Sequence, residues 1–174
     1  MKRPILIHPD PRLKKPAQPI VDLSDDLRRL ADDMLETMYA APGIGLAAPQ
    51  IGVDTRLIVM DCIKAEGEAP RPMAMFNPEI LAESDERSTY EEGCLSIPDI
   101  YADVERPAAV TVRWIDRDGN EQQDSFDGLW ATCLQHEIDH LNGVLFIDYL
   151  TPLRRQLITR KMVKLKKDRM REKA

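Results

Sequence analysis

The chain reads as a single α+β domain, with short, mostly antiparallel sheets around a buried central helix and a further helix towards each end. Three observations predict this. Residues 128–141 lie between a capping Asp127 and a terminating Asn142-Gly143, and Glu137 and Asp139 are their only side chains certain to be charged. Leu129, Thr132, Cys133, His136 and His140 take one face and Trp130, Leu134, Ile138 and Leu141 the other. A helix apolar all round belongs inside a domain. Residues 109–115 and 121–126 flank the turn Asp116-Arg117-Asp118-Gly119, the pattern of an antiparallel hairpin. Leu27, Leu30, Ala31, Met34, Leu35 and Met38 recur at three- and four-residue steps after Ser24, the pattern of an amphipathic helix with a serine cap.

The remaining elements follow in order. Five prolines within residues 1–20 remove backbone donors and fix φ, so an extended wrapping segment is expected. The first helix stops before Pro42-Gly43. Residues 43–50 (GIGLAAPQ) carry two glycines and two alanines. They read either as a tight turn into a strand or as bare backbone that another chain can approach. Residues 56–60 read as a buried strand, 66–72 as a polar loop and 73–81 as a second extended stretch. In residues 88–98 (STYEEGCLSIP), Leu95 and Ile97 against Ser96 suggest a short strand ended by Pro98. Residues 145–149 form an apolar exit, and Thr151-Pro152 opens the last helix with proline at its first position.

Length and composition set bounds. The 174 residues suit one domain spanning 1–174, with a 43% hydrophobic and 31% charged composition typical of globular proteins. No stretch is apolar for long enough to span a membrane, so no membrane partner is expected. The apolar start is broken too early by Pro9 and Pro11 for a signal peptide. Three cysteines without framework spacing point to a reducing, cytoplasmic setting. Residues 154–174 hold ten Lys or Arg against two Asp or Glu, a local charge of +8 that leaves −14 on the remainder. Residues 152–174 are therefore expected as a basic C-terminal helix. Leu157, Ile158, Met162 and Leu165 would pack on the body, and the part beyond Leu165 would protrude.

The chemistry lies in residues 135–140 (QHEIDH). His136 and His140, four apart on a helix, can share one divalent ion, with Glu137 beside it as general base for a water. Burial of the helix argues against an ordinary solvated histidine pair. A catalytic site wants three protein ligands and an open position. No histidine follows His140, and Glu172 is the only glutamate after it. A thiolate from upstream is the natural third ligand. Cys133 lies on the same face as His136 but is displaced along the axis at about 1.5 Å per residue, too far for its short side chain. Cys62 follows a strand in a featureless context. Cys94, in a glycine-flanked bend, can approach from the opposite side and is favoured on ligand geometry.

Residues 43–50, 92–96 (EGCLS) and 135–140 together resemble the three signature motifs of the peptide deformylases, in that family's order and similar spacing. The resemblance covers nearly the whole chain, with no departure at a motif position. It implies a metallohydrolase that removes the formyl group from the N-terminal methionine of newly made polypeptides. It also implies Cys94, His136 and His140 as ligands of one divalent ion, Fe²⁺ in the cell with Zn²⁺ or another able to substitute. Glu137 would move the proton, and the Gln50 amide with the Leu95 N–H would stabilise the oxyanion.

The N-formylmethionyl peptide or nascent chain would pair with backbone at Ile44 and Gly45 on one side and residues 95–97 on the other. Ile44, Tyr90, Leu129, Thr132 and Cys133 would line the methionine pocket, and Arg106 would pair with Glu92 behind Cys94. The basic helix is similar to a ribosome-docking element, and a monomer is expected. The rival readings are a zinc endopeptidase and a non-catalytic ribosome-associated module with a structural metal.

Overall fold

A computed structural model of the chain describes residues 1–173. Ser24 caps the first helix by accepting a hydrogen bond from the Leu27 N–H, and α1 (Asp25–Ala40) ends ahead of Pro42. Strands β1 (Gly45–Ala47), β2 (Leu57–Met60) and β3 (Met73–Glu83) follow. The hairpin β4 (Arg87–Cys94) and β5 (Ile97–Pro107) comes next, then β6 (Ala109–Ile115), β7 (Glu121–Asp127), α2 (Gly128–Leu141) and α3 (Pro152–Glu172). Five strands form one antiparallel sheet in the order β1-β2-β3-β6-β7, and β4-β5 form a separate two-stranded sheet.

The large sheet is covered on both faces. Leu30, Ala31, Met34 and Met38 of α1 meet Leu57, Val59 and Phe76 on one side. On the other, Ala131, Leu134, Ile138 and Leu141 of α2 meet Ile58, Met60, Met75 and Val112. Successive residues of β2 therefore face opposite helices, which explains why that strand is apolar without alternation. A third cluster joins Ile97 and Val104 of β5 to Phe146, Ile158 and Met162. Every residue of α2 from Ala131 to Ile138 is buried, as an all-round apolar helix requires.

Several expectations are corrected. Residues 45–47 are an edge strand, which sets aside the tight-turn alternative. Pro98 does not end a strand. Cys94 pairs with Ile97 and Glu92 with Ala102, so β5 bulges between these pairs and Pro98 sits where its missing N–H breaks no ladder bond. Asp127 precedes α2, but its side chain makes no capping bond, because the residue is held in β7 opposite Ala109. Leu157 is 48% exposed. Helix α3 touches the body along the stripe of Ile158, Met162 and Leu165, and Leu157 falls one position off it.

Candidate metal centre

Two separate units deliver the centre: α2 supplies His136, Glu137 and His140, and the tip of the β4-β5 hairpin supplies Cys94. One ligand atom from each of Cys94, His136 and His140 lies within 4.8 Å of the others. Cys94 Sγ is 3.3 Å from His140 Nε2. Thiolate and imidazole around a tetrahedral ion sit about 3.5 Å apart, so the cluster fits one. His136 Nδ1 donates to Glu92 Oε1 at 3.0 Å, which turns Nε2 and its lone pair towards the thiol. Cys133 stands outside this cluster, its Sγ 3.6 Å from the Ile44 carbonyl.

Glu92 is buried and fully used. Arg106 binds it through Nε at 2.7 Å and Nη2 at 2.9 Å, and reaches Asp139 through Nη1 at 2.8 Å. Tyr149 closes the network by donating to Asp139 at 2.7 Å. Burial would raise the Glu92 pKa, but Arg106 and His136 outweigh it and hold the group below its ordinary value. His136 moves well above its ordinary value, because Cys94 and Glu92 overcome the burial that opposes its charge. Burial holds His140 well below its own, as a neutral nitrogen ligand requires.

Burial raises Glu137 to about 7, and its Oε1 has no hydrogen-bond partner among the described residues. The carboxylate lies against β1. A Cβ on Gly45 would fall 2.8 Å from Cys133 Sγ, 2.9 Å from Glu137 Cδ and closer still to Glu137 Oε2. A Cβ on Gly43 would fall 2.7 Å from Leu95 Cδ1. Both glycines therefore admit other parts of the centre. The Asp61 N–H bonds the Ile44 carbonyl at 2.9 Å, and Gly45 lies opposite Met60. In the alternation of an antiparallel ladder, this turns the N–H and C=O of Gly45 away from β2, towards the cleft. The expectation of bare backbone thus holds at Gly45, while the Ile44 carbonyl faces inwards.

The Gln50 amide is oriented at both ends. Its Oε1 accepts from the Ala47 N–H at 2.9 Å, and its Nε2 donates to Ser96 Oγ at 3.1 Å, 3.6 Å from Cys94 Sγ. Leu95 occupies the turn between β4 and β5. A cleft of about 730 Å³ is lined by Ile44, Gly45, Gln50, Tyr90, Cys94 and Leu95, and by Leu129, Thr132, Cys133, His136 and Glu137. All the anticipated site residues except His140 therefore reach this cleft, and His140 lies fully buried behind the thiol. The sequence reading missed Ser96, Asp139 and Tyr149, and also Phe146, which stacks on His136. Asp139 carried a signal: it is a charge in an otherwise apolar helix. Arg169 of α3 also borders the cleft.

The family model for polypeptide deformylase matches residues 2–156. A peptide deformylase of Rhizobium meliloti is 59% identical over 96% of this chain and 95% of its own length. One of Agrobacterium fabrum is 58% identical over 93% and 95% respectively. The crystal structure of a peptide deformylase from Legionella pneumophila matches at a TM-score of 0.89 and 46% identity, covering 98% of this chain and 99% of its own. One from Ehrlichia chaffeensis in complex with actinonin matches at 0.89 and 39%, covering 94% and 96%.

Proposed function

The chain belongs to the polypeptide deformylase family, metal-dependent hydrolases that remove N-formyl groups, and on that premise we propose how its own residues divide the work. The endopeptidase and structural-metal readings give way to this membership. The observation that carries the proposal is the convergence of Cys94, His136 and His140 beside a buried, unpartnered Glu137 oxygen.

Cys94, His136 and His140 would hold one divalent ion. Fe²⁺ is the ion proposed for the cell, with Zn²⁺ able to replace it, since a thiolate and two imidazoles suit both. Once bound, such an ion supplies Lewis-acid polarisation and brings the pKa of water down to about 7. Glu137 takes the proton of the attacking water and passes it to the amine as the formyl C–N bond breaks, releasing formate. The Gln50 Nε2–H and the Leu95 N–H face the developing oxyanion. The Ala47 bond fixes which end of the Gln50 amide points inwards.

The substrate lies as an added strand along Gly45 and residues 95–97, with its methionine side chain among Ile44, Tyr90, Leu129, Thr132 and Cys133. Residues 1–174 act as one catalytic unit, with residues 152–174 as its basic arm. The protein works as a cytoplasmic monomer on nascent chains, and the exposed cations of α3 dock it on ribosomal RNA. No helix among the described residues is long and apolar enough to cross a membrane.

The test measures bound metal and formyl-Met-peptide hydrolysis together. Cys94→Ser should lose both, Glu137→Gln should keep the metal but lose about 10²–10⁴ in rate, and Cys133→Ser should keep the metal. Full activity in Glu137→Gln would refute the assignment.

A further inference from the structure

Tyr101 is 62% exposed, and one edge of its ring is backed by the chain. Its backbone belongs to β5, and its ring presses on Gly93, where a Cβ would fall 2.6 Å from Cε1 and 2.8 Å from Cδ1. Gly93 immediately precedes Cys94, so the ring stands at the wall of the metal centre. Two other tyrosines spend their hydroxyls on carboxylates, Tyr39 on Asp61 at 2.6 Å and Tyr149 on Asp139 at 2.7 Å. Among the described residues, Tyr101 has no such tie.

Tyr101 borders the same cleft as Cys94 and Glu137, next to Ile100 and Leu95. The charged groups around that cleft are of both signs, with Lys2, Lys64 and Arg169 against Glu91 and Asp99. No single charge on a substrate is favoured there. A held aromatic face, by contrast, loses little freedom when it is covered, so its apolar area is available for binding.

We propose that Tyr101 is a specificity-determining residue whose ring receives a large apolar or aromatic side chain one or two residues after the formylated methionine. This rests on the deformylase reading of the cleft, and each enzyme variant serves as its own reference. The probes are formyl-Met-Ala-Ala-Ser and its two relatives with Phe replacing either alanine. The wild type should favour one Phe peptide by about 3- to 10-fold in kcat/KM, mainly through KM. Tyr101→Leu and Tyr101→Ala should bring that ratio close to one, and Tyr101→Phe should preserve it, since the face and not the hydroxyl makes the contact.

A wild type indifferent to Phe, or a preference that survives in both Tyr101→Leu and Tyr101→Ala, would overturn the proposal. So would an equal loss on all three peptides in the Leu and Ala variants, which would make Tyr101 a support for Gly93 only. Failure of the wild type to release formate from any peptide would instead count against the deformylase reading.

Discussion

Gly45 and Glu137 meet across the cleft with no room for a methyl group between them: a Cβ on Gly45 would stand 2.9 Å from Glu137 Cδ and nearer still to Oε2. The strand edge and the carboxylate proposed to carry the proton therefore touch directly. The glycine serves here by being small, whatever its backbone freedom.

Gly45→Ala should push the Glu137 carboxylate aside while leaving the three proposed ligands in place. A displacement near 1 Å from the productive geometry costs about 10²-fold in rate. Steady-state hydrolysis of a formyl-Met peptide, normalised to bound metal, should show that loss at unchanged metal content.

Arg106→Ala should act on metal retention and on stability together. It leaves Glu92 buried without its cation, a type of change that costs about 3–5 kcal/mol. It also frees the carboxylate that orients His136, a loss worth about 10- to 100-fold in metal affinity. Urea unfolding and competition with a chelator would measure the two effects separately.

In the metal-free protein the contribution of Glu137 to stability should fall as pH rises from 5 to 8. Burial holds Glu137 at about 7, above its ordinary 4.5, so in that window the folded state binds a proton that the unfolded chain releases. His136, raised by Cys94 and Glu92 against burial, has the same sign: its contribution is present in acid and fades as pH climbs. His140, held low by burial, has the opposite sign below its ordinary 6.5. The Glu137 contribution is therefore read as the denaturation midpoint of the wild type relative to Glu137→Gln, a difference that should fall across this range.

Ending the chain after Leu165 keeps Ile158, Met162 and Leu165 on the body while removing the exposed cations beyond them, Lys167, Arg169, Arg171 and Lys173. Hydrolysis of a short formyl-peptide should continue. Ribosome binding should weaken, and its salt dependence should become shallower by about one unit of log–log slope for each phosphate that is no longer neutralised. Co-sedimentation at several salt concentrations reads both. Cutting at residue 160 would be a poorer test, because it removes Met162, which is buried.

The chain itself made α2 legible, because fourteen residues with two certain charges have no solvent face to offer. It also made the β6-β7 hairpin legible through its Asp-Gly turn. The β4-β5 hairpin was hidden, because its two-stranded sheet is wet on one side and carries polar residues such as Glu91, Asp103 and Glu105. Pro98 disguised it further by occupying a bulge. The opposed faces of β2 follow from helices lying on both sides of the sheet, which no local pattern encodes. The meetings of Gly43 with Leu95 and of Gly45 with Glu137 join residues far apart in sequence. Composition could announce close approach at these glycines, but not what approaches.

The outward amide of Gly45 sits in a cleft of about 730 Å³, between the β1 edge and the tip of a hairpin. On the proposed reading this cleft takes one extended strand with a free end, which a finished domain with its N-terminus packed away does not present. The time available for the reaction is then set by the client polypeptide: it closes when the first few residues of that polypeptide find their own place in a fold.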